Sequence, residues 1–224
     1  MAIDRTKWPQ HAARAVDKWI CAVDLGQTTD PTAIAILNHR VVPLDKWIQN
    51  DAAQNWKQES TEHFEIRHLQ RLPLGMPYPA QVQEVANIMA RPPLNAGAAL
   101  VVDETGVGRA VCDLFDVAGL KPVRVTITSG LETTRQGGNS WHVSKTQLIS
   151  ALDARIHTGE LRIAPSNEAG ALQEELKDFR RKVSEAGRST WAARTGTHDD
   201  LVLACALALW FATSGPKPTI FQPL

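Results

Sequence analysis

Ala98-Ala99-Leu100-Val101-Val102-Asp103-Glu104-Thr105-Gly106-Val107-Gly108-Arg109 is an apolar run of strand length that ends on two carboxylates, turns at two glycines and passes into a helical segment. The helix expected over Arg109 to Ala118 is followed by a second apolar run, Val123 to Ile127. A strand, a helix and a further strand in that order make the crossover unit of a parallel sheet. Ligands of such sheets gather at the carboxyl ends of the strands, where Asp103 and Glu104 stand. The glycines let the backbone turn there or approach a ligand closely.

Toward the N-terminus, residues 1 to 18 form a polar segment, and Trp19-Ile20-Cys21-Ala22-Val23 reads as a buried strand closed by Asp24. Gly26 and Asp30-Pro31 supply turn chemistry before Thr32 to Leu37, so these two runs form an antiparallel hairpin with a longish loop. Residues 38 to 62 have no clear period. His63 to Leu69 alternates as a third strand, and Pro77 and Pro79 introduce a helix from about Ala80 to Met89. Toward the C-terminus, Ser144 to His157 and Glu168 to Val183 read as amphipathic helices, with polar loops at Ser129 to Ser140 and Ser184 to Ser189. Leu201 to Ala212 is apolar on all sides and is expected to be buried. The last twelve residues, Thr213 to Leu224, carry three prolines and read as an irregular tail, which leaves 19 to 212 as one domain.

The 224 residues are 43% hydrophobic, enough for a sizeable core. Lysine plus arginine equals aspartate plus glutamate, so the formal net charge of zero gives no global attraction to nucleic acid or membrane. Any polyanion site is therefore local. Cys21, Cys112 and Cys205 are odd in number, lack C-x-x-C spacing and sit among apolar neighbours, which favours buried thiols and an intracellular setting. The apolar run at 201 to 212 is too short to span a bilayer, so no membrane partner is expected.

Three acidic motifs lie at the edges of apolar segments: Asp24 after the first strand, Asp103-Glu104 after the strand at 98 to 102, and Asp199-Asp200 at the start of the C-terminal helix. Each has a plain alternative. Asp24 and Gly26 are common turn residues, and Thr197 followed by Asp200 resembles a helix N-cap, where acids suit the dipole. Yet Asp200, Ala204, Ala208 and Ala212 recur every four residues, a stripe of small side chains that lets the helix approach the sheet and brings Asp200 toward Asp24. Asp199 heads the stripe of Leu203 and Leu207, about 100° away around the helix. On this reading Asp200 is the ligand and Asp199 its helper. Acids brought together repel unless protonated or neutralised by cations, and oxygen-only ligands favour magnesium or manganese. Two such ions, roughly 3.5 to 4 Å apart, activate a water and stabilise the leaving oxygen of a phosphodiester.

The order Val23-Asp24-Leu25-Gly26 with Asp30-Pro31-Thr32-Ala33, then Val101-Val102-Asp103-Glu104-Thr105-Gly106-Val107-Gly108, then His198-Asp199-Asp200-Leu201-Val202-Leu203-Ala204 resembles the nuclease domain of phage large terminases. The resemblance runs from about Ile20 to Trp210. It implies an α/β, ribonuclease H-like fold: a mixed sheet of an antiparallel hairpin plus parallel strands, flanked by helices and related to Holliday-junction resolvases. The implied activity is endonucleolytic cutting of double-stranded DNA during genome packaging, with two Mg2+ or Mn2+ ions, in the cytoplasm of a host cell. By resemblance Asp24, Asp103 and Asp200 are the catalytic, metal-binding acids, with Glu104 and Asp199 as supporting acids and Lys145, at a helix start, near the site. The implied partners are a terminase ATPase motor, a small terminase and a portal. No G-x-x-x-x-G-K-[ST] phosphate loop is present, so this chain alone is not expected to drive packaging. It reads as an excised domain, a separately encoded nuclease, or a relative without the motor.

Lys177, Arg180, Arg181, Lys182, Arg188 and Arg194 form the densest basic stretch, read either as a DNA backbone contact or as a solvated helix face. His198 either orders a water or phosphate or simply satisfies backbone groups at the helix start. Two rival functions are a non-catalytic DNA-binding or packaging module and an actin-like ATP-binding protein. The second starts from Asp24-Leu25-Gly26-Gln27-Thr28-Thr29, but the chain shows no repeat and is too short for the duplicated domain that reading needs.

Overall fold

The run Ile20-Cys21-Ala22-Val23 alternates its side chains between two buried layers, and this sets the architecture. The computed structural model describes residues 14–26, 28–50, 55–106, 109–178, 180–183, 189–192 and 198–214. Strand β1 (Val16–Asp24) lies between β2 (Ala33–Asn50), which is antiparallel to it, and β4 (Ala99–Asp103), which is parallel. Beyond β2 come β3 (Asn55–Arg71), antiparallel, and β8 (Leu161–Ile163), parallel to β3. Beyond β4 come β5 (Val123–Thr128) and β7 (Ser140–Ser144), both parallel, and the edge strand β6 (Thr134–Gly137). The order of this eight-stranded mixed sheet is β6-β7-β5-β4-β1-β2-β3-β8. The expected hairpin-plus-parallel arrangement is present.

Helices α1 (Tyr78–Met89) and α2 (Arg109–Val117) bury Val82, Val85, Ile88, Val111, Cys112 and Phe115 against Cys21, Val23, Leu100 and Val102 on one face. On the other face α3 (Lys145–His157), α4 (Asn167–Asp178) and α5 (Asp200–Ser214) cover Ile20, Ala22, Ala35, Val101, Val125 and Val143. Every residue of α5 from Asp200 to Ala212 is buried, as its uniform apolarity requires. The three cysteines are free and buried. No described helix is long and apolar enough to cross a membrane.

The structure corrects the loop expected over 129 to 140 and the end of the helix expected over 168 to 183, and it adds strands where no element was assigned. The ambiguous stretch at 38 to 62 is the outer part of a long β2–β3 hairpin, obscured by Pro43 and by polar core residues such as His39, which stacks on Phe64 with ring centroids 4.6 Å apart. The polar loop at 129 to 140 holds β6, whose four residues are all exposed and so carry no apolar alternation; Gly137 and Gly138, at φ 116° and 51°, turn it into β7. Strand β8 is too short, at three residues, to leave a periodic signal. The helix expected to reach Val183 ends at Asp178, and a two-stranded ribbon follows, β9 (Arg180–Val183) pairing antiparallel with β10 (Ser189–Ala192). The outer elements also extend slightly past the expected domain limits, with β1 beginning at Val16 and α5 ending at Ser214.

Candidate metal centre

Parallel pairing of β1 with β4 puts Asp24 opposite Asp103 at the shared carboxyl end of the two strands. Adjacent strands lie about 4.8 Å apart, and alternation sends both side chains to the face covered by α3 and α5, the face of Ala22 and Val101. Asp103 is 4% exposed, and its Oδ1 accepts the Thr105 backbone N–H at 2.8 Å. Burial pushes its pKa up to about 6, against hydrogen bonds from Thr105, the charge of Lys145 and a hydrogen bond from Asp24. Asp24 is raised well above the ordinary carboxyl range, first by burial and then by Asp103, Asp199 and Asp200, with Lys145 opposing. Burial thus disfavours the ionised form of both carboxyls.

Across from this pair, the start of α5 brings Asp199 and Asp200. Ser144 caps α3 by accepting the Gln147 N–H at 3.3 Å, and Lys145 in that first turn donates from Nζ to Asp199 Oδ2 at 2.8 Å. Asp200 is 3% exposed and receives both arms of Arg71, Nε to Oδ2 at 2.7 Å and Nη2 to Oδ1 at 3.2 Å. Arg71 closes β3, and its Nη2 also pairs with Glu175 of α4. Glu175 Oε2 accepts the Val202 N–H at 3.0 Å, so it caps α5 from a neighbouring helix. Burial and the charge of Asp200 raise the Glu175 pKa to about 7, although Val202 and Arg71 oppose the shift.

The loop after Asp24 is held as tightly. A Cβ on Gly26 would lie 2.0 Å from the Asp30 carbonyl oxygen, so only glycine fits the turn. The Gly26 N–H donates to Thr32 Oγ1 at 3.0 Å, and Gln81 of α1 donates to the Gly26 carbonyl at 3.0 Å. His198 Nδ1 lies 3.0 Å from Asp30 Oδ1, which links the approach to α5 to this loop.

Of the residues singled out in the sequence, Asp24, Asp103, Lys145, Asp199 and Asp200 come together. Glu104 does not. It follows Asp103 by one residue and turns to the α2 face, where Oε1 accepts from Thr126 at 3.0 Å and the buried Oε2 has no hydrogen bond among the described residues. His198 meets Asp30 at the rim. Arg180, Arg181 and Lys182 lie on β9 rather than on a helix; Arg188, Arg194 and Thr197 fall outside the described residues. Sequence reasoning missed Arg71 and Glu175. Glu175 carried a signal, since it shares an apolar stripe with Leu172 and Leu176 and so had to be paired when buried. Arg71 carried none beyond its place at the end of an alternating strand.

Among the described residues five carboxyls, Asp24, Asp103, Glu175, Asp199 and Asp200, share two cationic side chains, Lys145 and Arg71. Burial is the first cause of the raised pKa of Asp24, Asp103 and Glu175, with neighbouring acids adding to it at Asp24 and Glu175, and an oxygen-only donor set suits a hard divalent cation. Among the described residues no three His, Cys, Asp or Glu side chains are grouped so that they could hold a metal ion as they stand.

No protein-family model matches the sequence, and no curated protein matches it. Solved structures do match in fold. The large terminase nuclease from thermophilic phage G20c with bound magnesium superposes with a TM-score of 0.59 at 20% identity, covering 89% of this chain and 84% of that one. The same nuclease with bound cobalt gives a TM-score of 0.59 at 20% identity over 86% and 80%. The large terminase nuclease domain of Thermus phage P74-26 gives 0.57 at 18% over 88% and 80%. The chain has the ribonuclease H-like fold of phage large terminase nuclease domains.

Proposed function

We propose that this chain is a metal-dependent endonuclease that hydrolyses DNA phosphodiester bonds, the cutting domain of a viral genome-packaging terminase. The observation that carries the reading is the registered pair Asp24 and Asp103, which faces the Asp199-Asp200 doublet across a site short of positive charge. Asp24, Asp103 and the doublet, Asp200 foremost, would hold Mg2+ or Mn2+, two ions by the fold analogy. When bound, the ions would supply the Lewis acidity that in-line attack on a phosphodiester needs. The fold's match to nucleases solved with magnesium and with cobalt supports this choice of ligand.

The chain's own residues would do the remaining work. Asp24 and Asp103 would have to be ionised to serve as donors, a state that burial opposes and a bound cation would favour. Lys145 holds Asp199 and brings positive charge to the rim, where a DNA phosphate would approach. The basic ribbon strand β9, with Arg180, Arg181 and Lys182, would contact the duplex backbone. His198, fixed to Asp30, would shape the edge of the site. Glu104 would support the Asp103 turn from the opposite face. In the cell the partners would be double-stranded DNA and a packaging ATPase motor, with the small terminase and portal.

Incubating supercoiled plasmid with the protein in magnesium, manganese, calcium or EDTA, with Asp103→Asn in parallel, tests the reading. The expected result is relaxed and then linear DNA in magnesium or manganese, lost in EDTA and in the variant. DNA binding without cleavage under every metal would favour a non-catalytic packaging module.

A further inference from the structure

We infer that Arg71 and Glu175 are positioning residues that hold Asp200, and with it the start of α5, in the geometry for cation binding. The inference rests on the nuclease reading above and deepens it.

The argument begins with what a helix start requires. The first amide N–H groups of α5 have no partner within the helix. Asp199, which stands at the cap position, commits its carboxylate to Lys145. The Val202 N–H is met instead by Glu175, a buried acid from α4. Arg71 then joins Glu175 to Asp200. Its own strand end is fixed to the loop after Asp24, because the next residue, Leu72, donates its N–H to the Thr32 carbonyl at 2.8 Å. Three elements that enclose the site, β3, α4 and α5, are thus joined through one guanidinium.

The contact on Asp200 is two-pronged, with one N–H on each carboxylate oxygen. Each oxygen keeps a further lone pair, so Asp200 can accept a cation while Arg71 fixes its plane. Outer groups that orient ligating carboxylates commonly change metal affinity by about 10- to 100-fold when removed. A countercharge role predicts the opposite sign, since removing a positive charge beside the acids would tighten cation binding.

The test is Mn2+ titration by calorimetry without DNA, on wild type, Arg71→Lys, Arg71→Gln and Glu175→Gln, each checked for cooperative unfolding. Lysine keeps the charge and loses the fork. Positioning predicts that Arg71→Lys and Glu175→Gln each weaken Mn2+ binding about tenfold or more. Their apparent metal constant for cleavage should rise while KM for DNA stays put. In an Asp200→Asn background, Arg71→Lys should weaken binding no further. Wild-type affinity in folded Arg71→Lys, or tighter binding in Arg71→Gln, overturns the inference. A wild type that neither binds Mn2+ nor cuts DNA sinks the nuclease reading instead.

Discussion

Asp103→Asn is expected to stabilise the metal-free protein while it abolishes cleavage. Asp103 is buried, and burial pushes its folded pKa up to about 6, from the 3.8 of an ordinary aspartate. A carboxyl whose pKa is raised on folding gives the folded state an advantage that is intact below pH 4 and lost as pH rises through 6. By pH 8 the deficit reaches about 3 kcal/mol, at 1.36 kcal/mol per unit. Asparagine is isosteric, still accepts from Thr105 and never ionises, so it should recover up to that amount. For a chain of this size that is a rise in melting temperature of roughly 6 to 12 °C. Near pH 4 the gain should shrink to about half a kcal/mol, because the native carboxyl keeps its proton there. Thermal unfolding in EDTA from pH 4 to 8, beside the plasmid assay, reads both effects. A variant less stable than wild type at pH 8, or a difference independent of pH, refutes the claim that burial holds Asp103 against its ionised form.

Magnesium should raise the wild-type melting temperature at pH 8 and flatten the fall in stability between pH 4 and 7 that the raised Asp103 and Glu175 impose; at a hundredfold excess over Kd the gain is about 2.7 kcal/mol, and EDTA should abolish it. Gly26→Ala, whose new Cβ meets the Asp30 carbonyl at 2.0 Å, should cost more than about 2 kcal/mol in denaturant unfolding and displace Asp24 enough to lower cleavage. Reversing Arg180 and Arg181 to glutamate should weaken duplex binding and make the slope of log affinity against log salt shallower by about 2; an unchanged slope assigns those side chains to solvent.

The parallel core and the acid pair were legible because Ile20 to Val23 of β1 and Leu100 to Val102 of β4 are buried apolar runs, and such runs end where the core ends. Asp24 and Asp103 mark those ends. The buried character of α5 was legible for the same reason. What sequence could not supply was pairing between distant elements. Arg71 and Glu175 are 104 residues apart and meet only because β3 and α4 converge on α5. The ribbon at β9 and β10 was hidden because its strand Arg180-Arg181-Lys182-Val183 is mostly charged, and charge alone does not separate a ribbon from a helix face. Glu104, expected as a supporting acid, points away from Asp103 because successive residues at a strand end face opposite sides of the sheet.

The two cations of the site should answer to mutation with opposite signs. Lys145 and Asp199 are each 29% exposed, and a pair of that kind contributes about 1 kcal/mol or less. Arg71 and Asp200 are 28% and 3% exposed, so breaking that pair strands a buried charge. Asp199 can therefore exchange Lys145 for an incoming cation at little cost, whereas Asp200 must bind with Arg71 still attached. Lys145→Met should leave metal-free stability within about 1 kcal/mol and should tighten Mn2+ binding, because it frees Asp199 and removes a competing charge. It should also raise KM for DNA, since the rim loses the cation that would meet a phosphate. Weaker Mn2+ binding in Lys145→Met would mean that Lys145, like Arg71, orients its acid rather than occupying it.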